Sequence, residues 1–235
     1  MAKLSLELPL PFFALLLLTS CATAPEKLDP SVRVQMRAFE RAVQGCGDAD
    51  KSPHPCVTYR VTWPEITHAP HPGAAQRMNQ AIQDAIRPHP PSDDWAQEAT
   101  LLETAYTEFQ DTRPDNEVTF YHRRVAEIIR STHALISLSV TEDRFTGEDA
   151  PTFHQNFLNF DTKTGEIVQL SSLLAPGAAA QLRRYGAHPD TTPFAPAPEG
   201  LFLATPPSLP PILIPWSEAA ALFPPNSPVL PAPER

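Results

Sequence analysis

Val57, Tyr59, Val61 and Trp63 alternate with Thr58, Arg60 and Thr62. This period of two predicts a strand with one polar face. Pro64 ends that strand or confines it to a sheet edge, because proline donates no ladder hydrogen bond. Upstream the period changes. Val32, Met36, Phe39 and Val43 recur at helical spacing behind Asp29-Pro30, an N-cap followed by proline at the first helical position. That pattern predicts a helix ended by Gly45. A second helix is predicted from the shared face of Met78, Ile82 and Ile86, stopped by Pro88. After a His89-Pro90-Pro91 linker, Ser92 reads as the cap of a longer helix, with Asp93 and Asp94 in its first turn. Trp95, Ala99, Leu102, Tyr106 and Phe109 form its apolar stripe, expected to face a sheet.

From Glu117 the pattern is β-like. Segments near 117–130 and 133–145 alternate and can pair across Ser131-Thr132, with Ala134, Ile136, Leu138 and Val140 on one face. A third strand is expected over 153–161, then a turn at Asp161–Gly165 and a short return from Glu166 to Leu170. A brief helix over 178–185, short strands at Leu201–Ala204 and Ile212–Ile214, and a helical turn from Ser217 to Phe223 complete the pattern. The class expected is α+β, helices packed on an antiparallel sheet with a proline-rich C-terminal tail. The expected organisation is an N-terminal helix/strand module over 29–112, an α+β domain over 113–223, and a flexible tail over 224–235.

Composition sharpens this picture. The chain has 235 residues, 29 of them proline, which excludes a mainly helical protein. Lys+Arg number 18 against 27 Asp+Glu, a net charge of -9. Phosphate neutralisation needs clustered cations, so nucleic acid is excluded as a partner. At the N-terminus, Lys3 precedes an apolar run from Leu8 to Leu18, too short to cross a bilayer but fitting the core of a secretory signal. The run ends in Leu18-Thr19-Ser20-Cys21, which resembles the bacterial lipobox. Residues 1–20 are therefore read as a lipoprotein signal peptide and residues 21–28 as a tether, with Cys21 acylated. The alternative is an ordinary cleaved signal. Several acyl chains on Cys21 would give a stable membrane anchor. Neither Ala22 nor Thr23 is the aspartate that retains many lipoproteins at the inner membrane. The expected location is thus the cell envelope, at the outer membrane facing the periplasm.

Cys46 and Cys56 flank a polar, turn-rich segment. In an exported chain such a pair suggests a disulfide, which would add about 2–3 kcal/mol. The alternative is a metal pair with a nearby histidine.

An ordered set of short motifs runs from about 115 to 223. It comprises Leu135-Ile136-Ser137-Leu138, Phe145-Thr146-Gly147, Asn159-Phe160-Asp161-Thr162-Lys163-Thr164-Gly165-Glu166 and Leu170-Ser171-Ser172-Leu173-Leu174. It closes with Glu199-Gly200-Leu201-Phe202 and Ile212-Leu213-Ile214-Pro215-Trp216-Ser217-Glu218. This set resembles the extracytoplasmic domain of unknown function at the C-terminus of RsiV-type anti-sigma factors and PdaC-type envelope proteins. Residues 57–86 resemble the smaller module that usually precedes it. The resemblance implies helices on an antiparallel sheet and, through relatives that sense lysozyme, a strongly basic partner. The turn Thr146-Gly147-Glu148-Asp149-Ala150-Pro151 departs from the family's Gly-Gly-Ala-His pattern.

Catalytic motifs are missing from the sequence: there is no Gly-x-Ser-x-Gly elbow, phosphate-binding glycine loop or His-Glu-x-x-His. No catalytic residue, metal or cofactor is assigned. His68 and His71 offer two imidazoles where a zinc site needs three or four ligands, and histidines beside prolines are more simply solvated loop residues. Glu142, Asp143, Glu148 and Asp149 are the candidate partner-binding residues, an acidic patch for a cationic partner; the plainer alternative is a solvated rim. The expected function is a lipid-anchored, non-catalytic binding domain recognising lysozyme or a peptidoglycan-related ligand. The alternatives are an envelope hydrolase and a periplasmic metal-binding lipoprotein.

Overall fold

The structure, a computed structural model, describes residues 31–43, 56–115, 118–147, 150–206 and 209–231. The signal segment, Cys21, Cys46, Glu148 and Asp149 lie outside the described residues.

Five strands form the main sheet: β1 (Arg33–Ala42), β2 (Val57–His68), β3 (Phe120–Ser131), β4 (Leu135–Phe145) and β5 (Thr152–Asp161). They lie in the order β1-β2-β3-β4-β5, with every pair antiparallel except β2–β3. Between β2 and β3 the chain makes α1 (Ala74–Ala85) and α2 (Trp95–Thr112), the long crossover a parallel pair requires. The class is therefore α+β, with an antiparallel-dominated sheet.

The region of β1 is a strand where the apolar spacing predicts a helix. Its ladder with β2 runs from Arg33↔His68 to Ala42↔Thr58. The helical stripe was a few side chains wide and left no partner for the outer edge of β2. Pairing satisfies that edge, and Phe39 packs edge-on against Tyr59 with ring centroids 5.9 Å apart. Arg41 then reaches α2, bonding Thr100 Oγ1 at 2.9 Å and Glu103 at 2.7 Å.

Pro64 does not end β2. Pairing with β3 stops at Thr62, so the missing N–H of Pro64 faces no strand on that side. Beyond it, the Asn79 side chain of α1 takes over as a neighbour, accepting from Ile66 N at 2.8 Å and donating to Ile66 O at 2.9 Å. The expected boundary at 112–113 falls inside this single sheet, because β2 from the first half pairs with β3 from the second. Ser92 is not the cap of α2. Asp94 is, its carboxylate accepting the Gln97 N–H at 2.8 Å.

One face of the sheet carries α1 and α2 over a core that includes Met78, Ile82, Leu102, Phe109, Phe120 and Phe160. The other face carries a smaller layer: α3 (Ala178–Leu182), β6 (Phe194–Ala197), β7 (Gly200–Leu203), β8 (Ile212–Pro215) and α4 (Trp216–Ala219). Its core gathers Leu135, Leu182, Phe194, Leu201, Leu222 and Val229. Strand β6, sequence FAPA, has no alternation and was not foreseen. The expected return over 166–170 shrinks to one bridge, Phe160↔Ile167, before a 3₁₀ turn at Leu170–Leu173.

The segment after Phe223 is docked rather than free as far as Leu230. Val229 is fully buried in the second core, and Arg130 donates to the carbonyls of Val229 and Leu230 at 2.7 Å each. No helix of the described residues is long and apolar enough to cross a membrane.

Candidate polar cluster and cleft

Strand alternation places His122 and Arg124 of β3 on the same face as Phe120 and Ala126, beneath the helices. Register then aligns Arg124 with Glu142 of β4, and Tyr59 of β2 with His122. From above, α2 lowers Glu98 onto this group, since Glu98 shares the apolar stripe of Trp95 and Leu102. The result is a buried polar cluster within the first core.

Arg124 sits at its centre. Its Nη1 and Nη2 donate to Glu98 Oε2 and Oε1 at 2.6 and 2.8 Å, a two-point ion pair. Nη1 also donates to Tyr59 Oη at 3.0 Å, and Nη2 approaches Glu142 Oε1 at 3.3 Å. Tyr59 donates to Glu98 Oε2 at 2.5 Å. On the other side, His122 Nε2 lies 2.6 Å and His89 Nε2 3.0 Å from Glu142 Oε1. An ionised carboxylate only accepts, so both imidazole nitrogens carry the hydrogen of these bonds. The His89 ring lies almost parallel to that of His122, with centroids 6.4 Å apart.

These contacts set the charge states. Burial pushes the Glu142 carboxyl up, but the bonds from His122 and His89 and the charge of Arg124 outweigh it and pull the pKa down to about 2. Burial likewise opposes ionisation of Glu98, and the bonds from Arg124 and Tyr59 hold it below its ordinary value. Burial, then the bond to Glu98, raise the Tyr59 phenol far above the usual tyrosine range. Burial works against the charge of Arg124, yet Glu98 and Glu142 hold its pKa above the ordinary value. The cluster is thus built around fixed charges.

Two cavities adjoin it. A cleft of about 430 Å³ is lined by Arg124, Glu142, His154 and Asn156 of the sheet, Ala85 at the end of α1, and Thr191, Thr192 and Thr205 from the second layer. A smaller pocket of about 150 Å³ lies under His89, against Glu98, Leu102 and His122. The larger cleft presents hydroxyls, amides and an imidazole beside one carboxylate, a lining suited to a ligand rich in hydroxyl and amide groups.

Of the residues expected to form an acidic docking patch, Glu142 turns inward to the cluster. Asp143 points the other way along β4 and pairs with Arg123 at 3.4 Å. Glu148 and Asp149 fall outside the described residues, as does Cys46. Cys56 is a buried free thiol. His68 and His71 are exposed, and no group of His, Cys, Asp or Glu among the described residues could hold a metal ion. The sequence reading passed over Tyr59, Glu98 and Arg124. The signal was present: a charged residue on the apolar stripe of α2, and another on the inward period of β3.

No protein-family model matches the chain, and no curated protein matches it. At the level of fold, it is similar to a DUF3298 family protein from Pseudomonas aeruginosa PAO1. The TM-score is 0.54 at 16% identity, over 87% of this chain and 98% of that one. A DUF3298 member from Bacteroides fragilis NCTC 9343 gives TM-score 0.54 at 13% identity, over 82% and 94%. The chain shares the fold of these DUF3298 proteins. DUF3298 is an uncharacterised domain family, so this likeness supplies an architecture and leaves the chemistry to the cluster and its cleft.

Proposed function

We infer that this protein is a non-catalytic binding domain of the bacterial cell envelope, lipid-anchored through Cys21, whose cleft takes a peptidoglycan-related ligand. The observation that carries this reading is the cleft itself. It sets Asn156, His154 and four threonines around one ionised carboxylate, and hydroxyl- and amide-rich ligands need such groups. The lipobox-like Leu18-Thr19-Ser20-Cys21 supports a location in the envelope, where peptidoglycan is found.

The charge states favour binding over hydrolysis. A glycosidase-type general acid needs a carboxyl whose pKa is raised, so that it holds a proton near neutral pH. Glu98 and Glu142 are both shifted the other way. The placement of Glu142 and Asp143 favours a small ligand that can enter the cleft over a basic protein such as lysozyme, because Glu142 turns inward and Asp143 is paired with Arg123.

Calorimetric titration of the soluble, unlipidated protein, residues 22–235, with soluble muropeptides and separately with a c-type lysozyme tests this reading. Saturable muropeptide binding that survives 0.15 M salt is expected. Heat with lysozyme alone, weakening with salt, would replace the cleft by the 142–151 turn as the recognition surface.

A further inference from the structure

The carboxylates of the cluster outnumber its guanidinium. Glu98 and Glu142 are ionised carboxylates, Arg124 is the one guanidinium bonded to both, and the Tyr59 phenol stays neutral. His89 and His122 add positive charge only when protonated. Two carboxylates thus face one guanidinium, and Glu142 is the one that lines the cleft.

The two oxygens of Glu142 are unequally used. Oε1 meets His122, His89 and Arg124 at 2.6, 3.0 and 3.3 Å, whereas among the described residues Oε2 meets only His89, at 3.1 Å. A carboxylate oxygen accepts about two hydrogen bonds, so Oε2 keeps an acceptor position. Arg124, the one guanidinium of the cleft wall, is held at both Nη atoms by Glu98 and does not fill it. Nearby, Asn156 Nδ2 and Thr191 Oγ1 line the same cleft and make no hydrogen bond among the described residues.

We propose that the cleft binds an aliphatic primary ammonium, with Glu142 Oε2 as its counter-charge and with Asn156 and Thr191 contacting the polar groups beside the amine. A guanidinium is disfavoured, because its two-point recognition needs both carboxylate oxygens and Oε1 is already saturated. A hydroxyl would satisfy the acceptor but bring no charge to the carboxylate, and a charge-assisted bond is the stronger. The inference rests on the peptidoglycan reading and narrows it to fragments whose peptide carries a free amine on a diamino acid.

The test uses the full chain in detergent micelles and calorimetry with three probes. These are a muropeptide with a free diamino-acid amine, the same muropeptide acetylated at that amine, and Nα-acetyl-lysine methylamide. Acetylation is expected to weaken muropeptide binding about ten-fold, the loss of one charge-assisted hydrogen bond. Glu142→Gln is expected to abolish the preference for the free amine. Should that variant lose its cooperative melt, Asn156→Arg decides. It places a cation at an exposed position of the cleft, and is expected to weaken the free-amine form by a similar factor with an unchanged melting temperature. Equal affinity for both muropeptides would overturn the inference and leave the peptidoglycan reading standing. Binding of the lysine probe with neither muropeptide would sustain the ammonium site and overturn the peptidoglycan reading. Silence from all three overturns both.

Discussion

Arg124 and Glu98 join the sheet to the helix above it through two parallel hydrogen bonds, Nη1–Oε2 at 2.6 Å and Nη2–Oε1 at 2.8 Å. Both side chains are almost wholly buried. A buried pair of this kind draws little net stability from its own attraction, because both ions leave water to form it. Its cost emerges when one partner is removed.

Arg124→Met should therefore destabilise the fold by about 3–5 kcal/mol, since it strands Glu98 and weakens the environment of Glu142. The double variant Arg124→Met/Glu98→Leu should recover most of that loss. Urea unfolding of the two singles and the double gives the coupling energy. Additive losses would show that the pair is not the unit of interaction.

Stability should fall in acid. The folded pKa of Glu142 is about 2, against an ordinary value of 4.5. Between these values the unfolded chain binds the extra proton, so stability rises with pH there. The contribution is complete above about pH 4.5 and is lost as the pH falls through 2. At roughly 1.4 kcal/mol per pKa unit it is of the order of 3 kcal/mol. Glu98, also lowered, adds in the same direction. Thermal melts from pH 2 to 6 check this, and Glu142→Gln should flatten the profile.

Val229→Ala should cost about 2 kcal/mol, for two methyl groups removed from a closed site. Arg130→Gln, which gives up the grip on the Val229 and Leu230 carbonyls, should expose residues 224–231 to limited proteolysis while β1 to β5 stay protected. An unchanged digestion pattern would count against the docked tail.

The Cys46–Cys56 bridge that the sequence suggests is checked by non-reducing peptide mapping of protein exported to the envelope. Cys56 is a free thiol in the structure, so no linked 46–56 peptide is expected, and finding one would overturn that assignment. Two alkylatable thiols in the unfolded protein would leave Cys56 as a buried hydrophobic residue and nothing more.

Much of the fold was legible in the sequence, and the exceptions have physical causes. Met78 and Ile82 marked α1 because a helix packed on a sheet must bury one face. Leu138 and Val140 marked β4 for the equivalent reason in a strand. Met36 and Phe39 misled because an edge strand buries so little that its pattern is weak, and the pairing offered by β2 decides its conformation. Strand β6 was hidden because Ala195 and Pro196 are both buried, which erases alternation. The cluster was legible only in part. Glu142 was noticed as an acid near a turn, but its inward direction follows from the β3–β4 register, Arg124↔Glu142, which no local spacing reveals. Glu98 and Arg124 become meaningful once α2 is known to lie over β3.

The parallel pairing of β2 with β3 also governs when the protein can come into being. Val57 meets Phe120 across the middle of the sheet, with both long helices in the intervening chain. Closing that loop loses entropy before the pairing returns any energy, and such long-range contacts slow folding. An emerging chain that has not yet reached Phe120 has the β1–β2 ribbon and two helices with no surface to cover. The decisive folding event is therefore late, and the main sheet cannot close until more than half of the chain has emerged.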